Sequence, residues 1–100
     1  LNNQVPDQFS LSQNYPNPFN PSTRIHFGLS EQANTTLEIF NILGESVQLI
    51  VEGSIMDAGF YDFSVSMNGL ASGMYFYRLT AIGNNGQQLY SEMRKMILMR

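Results

Sequence analysis

The sequence predicts an all-β domain, an immunoglobulin-like antiparallel β-sandwich of about seven short strands. Three observations carry that prediction. Short runs alternate apolar and polar residues at period two. Clusters rich in Gly, Asn and Ser punctuate them at intervals of roughly ten residues. No stretch carries the 3.6-residue period of an amphipathic helix. A Greek-key barrel is the competing arrangement of the same strands. The 100 residues are enough for one domain with its own core.

Residues 1–10 read as a polar linker or lead-in segment, and residues 11–100 as the folded domain. Next comes a strap: Asn14, Tyr15, Pro16, Asn17, Pro18, Phe19, Asn20, Pro21, Ser22 and Thr23. It holds three of the four prolines of the chain. Each proline fixes its own φ, lacks an N–H and pushes the preceding residue toward an extended conformation. The strap is therefore neither helix nor central strand, and it offers no nucleophile and no proton shuttle. At least one of its rings, Tyr15 or Phe19, is expected to dock on the end of the sandwich. The rival use is as a ligand for a proline-binding groove.

Residues 23–29 alternate, with Thr23, Ile25, Phe27 and Leu29 on one face and Arg24 and His26 on the other. Residues 35–41 follow after a polar turn, with Leu37 and Ile39 inward. Ile42, Leu43, Gly44 and Glu45 form a tight reversal in which Gly44 is free to take positive φ. Val47, Leu49 and Val51 mark a third strand, and residues 52–59 read as a loop closing on Gly59. Residues 60–66 alternate with Tyr61, Phe63 and Val65 inward. A turn ends at Gly73. Residues 74–81 give the strongest strand, with Tyr75, Tyr77, Leu79 and Ala81 on one face and Met74, Phe76 and Arg78 on the other. Gly83, Asn84, Asn85 and Gly86 signal a primed hairpin turn. The last strand runs from about residue 89 to residue 98.

Composition narrows the function. Hydrophobic residues make up 43% of the chain, which excludes a disordered segment. The absence of cysteine excludes disulfides and thiolate metal sites. A net charge of −3 argues against a nucleic-acid partner. No apolar run approaches the ~20 residues of a transmembrane helix. No signal peptide is visible and the chain does not begin with Met, so it reads as a piece of a larger protein. Three of the five cations, Arg94, Lys95 and Arg100, fall at the C-terminal end, and every acid precedes Met93.

No catalytic motif emerges. His26 sits on the outward face of a strand without partners for a triad or a metal. The acids are spaced singly. Asp57 and Asp62, with loop carbonyls, are the one place where calcium is conceivable, and no EF-hand spacing supports it. The glycines lie at turns rather than in a phosphate-cradling cluster. Asn34, Thr35 and Thr36 match a glycosylation acceptor in form, but a turn before a strand explains them. Tyr75, Phe76 and Tyr77 suit core packing better than a sugar-stacking platform. No cofactor is expected.

Five blocks, taken in order, resemble the type A C-terminal sorting domain of bacterial type IX secretion. The first is Leu11, Ser12, Gln13 and the strap. The second is Ile39, Phe40, Asn41, Ile42, Leu43 and Gly44, with Val47. The third is Ala58, Gly59, Phe60 and Tyr61. The fourth is Leu70, Ala71, Ser72, Gly73, Met74, Tyr75, Phe76, Tyr77, Arg78 and Leu79. The fifth is Arg94, Lys95, Met96, Ile97 and Leu98. Arg94, Lys95 and Arg100 stand where the family often has a lysine pair and a terminal lysine; charge is kept, hydrogen-bonding geometry is not.

The resemblance implies an immunoglobulin-like sandwich at the C-terminus of a secreted or surface protein of the Bacteroidetes and their relatives. It implies a signal rather than an enzyme. The partners it implies are the N-terminal cargo domains of the same polypeptide, the outer-membrane translocon, and a sortase-like cell-surface peptidase that removes the domain from many cargoes and joins them to lipopolysaccharide. The translocon is expected to read the basic last strand, Arg94, Lys95, Met96, Ile97, Leu98 and Arg100, by pairing with its free edge, together with the adjacent turns. Tyr15, Pro16, Asn17, Pro18, Phe19, Asn20, Pro21, Gly44, Gly59, Gly73, Tyr75, Tyr77 and Arg78 are expected to be structural. The alternative is an immunoglobulin-like accessory or carbohydrate-binding module of a surface enzyme. It would present Phe40, Phe60 and Phe76 as an exposed aromatic row.

Overall fold

The computed structural model describes residues 5–99. Seven strands follow in chain order: β1 (Ser10–Leu11), β2 (Ser22–Leu29), β3 (Ala33–Phe40), β4 (Ser46–Met56), β5 (Gly59–Ser66), β6 (Gly73–Ile82) and β7 (Gln88–Leu98). They form a three-stranded sheet ordered β1-β2-β5 and a four-stranded sheet ordered β4-β3-β6-β7. All strand pairs are antiparallel. This is an immunoglobulin-like sandwich, and the described residues contain no helix.

Period-two alternation explains the core. Ile25, Phe27 and Leu29 of β2 face Leu37 and Ile39 of β3, with Tyr77 and Leu79 of β6 and Met96 and Leu98 of β7, all buried. Phe27 stacks on Tyr61 and Phe63 of β5, at centroid distances of 5.4 and 5.9 Å. Tyr75, near the start of β6, donates its hydroxyl proton to the Ala71 carbonyl at 2.6 Å. A tyrosine at this strand corner, bonding back to the chain just upstream, is a recurring brace of immunoglobulin-like sandwiches. Gly59 opens β5 and Gly73 opens β6.

Four details differ from the sequence reading. Ser10 and Leu11 pair with Gly28 and Phe27, so the sandwich already begins at the end of the lead-in segment. β4 continues through residues 52–56, where a loop was expected; Ala33, Asn34 and Thr35 pair with Met56, Ile55 and Ser54. Leu49, which plain alternation would set on the same face as Val51, is exposed. The cause is the register. Val51 pairs with Leu37 but Leu49 pairs with Glu38, so Ile50 is an inserted residue. The inserted residue turns Leu49 to the face opposite Val51, and a second shift, between Ile39 and Phe40, brings Val47 back against the core. Finally, the β6–β7 turn is not primed: Gly86 takes φ of +83°, whereas Asn84 and Asn85 do not adopt positive φ.

The β3–β4 turn is built as its residues predict. The Asn41 side-chain oxygen accepts from the N–H groups of Leu43 and Glu45, and its amide donates to the Glu45 carboxylate. Gly44 takes φ of +82° there.

Candidate functional site

The strap crosses from one sheet to the other. On the three-stranded side, Tyr15 and Arg24 exchange backbone hydrogen bonds at 3.0 Å in both directions. On the four-stranded side, the Phe19 N–H donates to the Ile97 carbonyl at 3.0 Å and the Phe19 carbonyl accepts from the Met99 N–H at 2.9 Å. Phe19 thus runs parallel to the end of β7, with its ring in the core. Of the two candidate rings, Phe19 docks, at 2% exposure, and Tyr15 projects outward, at 80%.

Side chains complete the clasp. Asn14 is buried; its amide donates to the Thr23 hydroxyl at 3.0 Å and the Pro16 carbonyl at 3.1 Å, and Thr23 also donates to Pro16. Gln13 donates to the Lys95 carbonyl at 2.6 Å. The Asn17 side-chain oxygen accepts from the Ile97 N–H at 2.9 Å. Pro21 accepts from the Met67 N–H, which ties the strap to the segment after β5. The Lys95 carbonyl, the Ile97 N–H and carbonyl, and the Met99 N–H are therefore occupied by the strap. The free edge that pairing with a partner strand needs is closed over this stretch.

Tyr77 is the hub beneath the strap. Its hydroxyl donates to the Ser12 carbonyl at 2.7 Å and accepts from the Asn14 N–H at 2.8 Å. Burial pushes this hydroxyl up to about 12 from 10.0, against the pull of the Asn14 bond and of Arg94. Tyr90, stacked on Phe9, bonds to the Glu92 carboxylate and is raised as well, first by burial and then by that bond.

The basic end divides by face. Arg94, Met96 and Leu98 point inward. The Arg94 Nε donates to the Leu11 carbonyl at 2.6 Å, and its guanidinium pairs with Glu92 at 3.1 Å. Met96 and Leu98 are buried. Lys95 and Ile97 point outward, and Lys95 makes no ion pair among the described residues. Arg100 lies outside the described residues.

The outward residues of β7 join a larger surface that includes Phe40 and Phe76 of the expected aromatic row. Register places Phe40 beside Phe76 beside Lys95, Glu38 beside Arg78 beside Met93, and Met74 beside Ile97. The Arg78 guanidinium lies over the Phe40 ring at 4.7 Å and reaches Glu38 at 4.0 Å. Phe40, Asn41, Ile42, Gly44, Phe76, Arg78 and Met93 line a hollow of about 210 Å³. Phe60 stands on the other sheet, stacked on His26 at 5.9 Å. The three phenylalanines of the expected aromatic row therefore do not share a face. Asp62, one half of the calcium candidate, pairs with Arg24 at 3.1 Å, while Asp57 accepts from Gln32.

The sequence model of the secretion system C-terminal sorting domain matches residues 13–97. The chain belongs to this family. Among curated proteins nothing matches. The span that defines the sorting domain starts at Gln13 and stops at Ile97. Both residues belong to the clasp between strap and β7. As a type IX sorting domain the chain belongs to a secretion system that exports to the cell surface or medium, and its family is one of signals rather than enzymes. Among the described residues no helix is long and apolar enough to cross a membrane.

Proposed function

We propose that this domain directs a larger cargo, carried on the same polypeptide, through the outer-membrane type IX translocon to the cell surface or medium. The family match over residues 13–97 carries the reading. The fold supports it, because a signal read by a translocon has to present a fixed shape. Here the strap, both sheets and β7 are bound to one another by backbone and side-chain hydrogen bonds. The domain is a signal without catalytic work of its own. A sortase-like surface peptidase acts on the junction between cargo and domain after export.

Recognition falls to the outward members of the last strand, Lys95 and Ile97. Arg94, Met96 and Leu98 hold the domain together. Deleting residues 94–100 would remove Met96 and Leu98 from the core, so point substitutions are the cleaner test. The test fuses the chain to a periplasmic reporter in a type IX-competent bacterium. Reporter at the surface or in the medium is the expected result; a folded fusion held in the periplasm would overturn the reading.

A further inference from the structure

The two outer faces of the sandwich differ in kind. The three-stranded sheet presents Ser22, Arg24, His26, Asp62, Ser64 and Ser66; among its described residues the large exposed rings are Phe60 and the strap's Tyr15, which pairs with Arg24. The four-stranded sheet and its turn expose Ile42, Leu43, Leu49, Met74, Met93 and Ile97, each at least 39% accessible. Exposed apolar side chains that gather on one face of a small domain mark an interaction site.

We infer that the hollow beside the β3–β4 turn, with Lys95 at its margin, is the docking surface for a protein partner. That partner brings one apolar side chain of about leucine or phenylalanine size and a carboxylate beside it. The inference rests on the sorting reading and names the surface through which the partner is met. The hollow, about 210 Å³, has the volume for one such side chain. Gly44 leaves its wall open, and Arg78 is held over the Phe40 ring and beside Glu38. Lys95 stands next to Phe76 in the register without an ion-pair partner among the described residues, so the face presents an unmatched cation beside an apolar hollow. A carboxylate on the partner matches it.

Charge selects this occupant over two others. Among the described residues, anionic lipid would meet two cations on this face, Arg78 and Lys95, on a domain of net charge −3, and Arg78 is already paired with Glu38. A second copy of the chain brings no free carboxylate from beside the hollow, because Glu38 is engaged by Arg78 and Glu45 by Asn41.

The test uses the reporter fusion in a type IX-competent bacterium, with Met93→Glu, Lys95→Glu, Lys95→Arg, and Ser64→Glu on the opposite face. A photo-crosslinking residue is placed at position 93 or 64, and adducts are identified by mass. The expected result is at least a tenfold loss of export for Met93→Glu and Lys95→Glu, a smaller loss for Lys95→Arg, which keeps the charge, and parental export for Ser64→Glu. An adduct with a translocon protein forms at 93 and not at 64. Melting of the purified variants confirms folding; should Met93→Glu melt early, the Lys95 pair and the crosslink decide. Parental export of both acidic variants, an adduct at 93 only with a second copy, or flotation with phosphatidylglycerol vesicles that Met93→Glu abolishes would each overturn the docking surface while leaving the sorting reading standing. A parent fusion that stays in the periplasm would overturn both.

Discussion

The Asn14 N–H donates to the Tyr77 hydroxyl at 2.8 Å, joining the head of the strap to the middle of β6. The same hydroxyl donates to Ser12, so a single phenol satisfies two backbone groups of the incoming chain. Tyr77→Phe leaves both without that partner. A buried backbone group left unsatisfied costs about 1–3 kcal/mol, and that is the destabilisation expected from urea unfolding. Hydrogen exchange at Asn14 should speed up more than exchange at Leu79.

Alkaline unfolding should follow from the same group. The Tyr77 hydroxyl is raised in the folded state from 10.0 to about 12, so the folded state holds its proton more tightly than the unfolded chain. Its contribution is fully present below pH 10 and is lost as pH rises toward 12, amounting to about 3 kcal/mol by the usual linkage of roughly 1.4 kcal/mol per pH unit. Tyr90 acts in the same direction. Stability measured against pH should fall across this window, and the fall should be shallower in Tyr77→Phe.

The two strap rings should behave differently. Phe19→Ala empties a core position and should destabilise by about 3–5 kcal/mol. Tyr15→Ala removes an exposed ring and should stay within about 0.5 kcal/mol of the parent. Denaturant midpoints of the two variants check this directly.

Gly44→Ala isolates a backbone effect. A Cβ at Gly44 meets nothing within 4 Å, so space is not at issue. Its φ of +82° is costly for any residue with a side chain, by about 1–2 kcal/mol. A drop of that size in thermal or urea unfolding, with the fold intact by circular dichroism, is the expected outcome.

Much of this architecture was legible because strand facing depends on local alternation alone. Ile25 and Phe27, Leu37 and Ile39, and Tyr77 and Leu79 all point as the period-two pattern requires. Leu49 escaped because a bulge is a property of two strands in register, and one strand's sequence does not contain it. Residues 52–56 escaped because Gly53 and Ser54 have loop composition, while pairing with β3 makes them strand. In the strap the prolines announced stiffness, but which ring would dock depends on distances across the sandwich. The exposed face was half visible. Alternation already separates Arg94 from Lys95, yet the hollow needs Phe40, Gly44, Phe76 and Met93 from three strands and a turn, brought together only by folding.

The central claim is that the folded domain is an export signal. The most direct measurement is protease accessibility of a reporter fused ahead of this chain, in intact cells with and without a working type IX translocon. The reporter should be digested at the surface, or recovered from the medium, only when the translocon works. A folded fusion that remains protected in the periplasm of translocon-competent cells would contradict it.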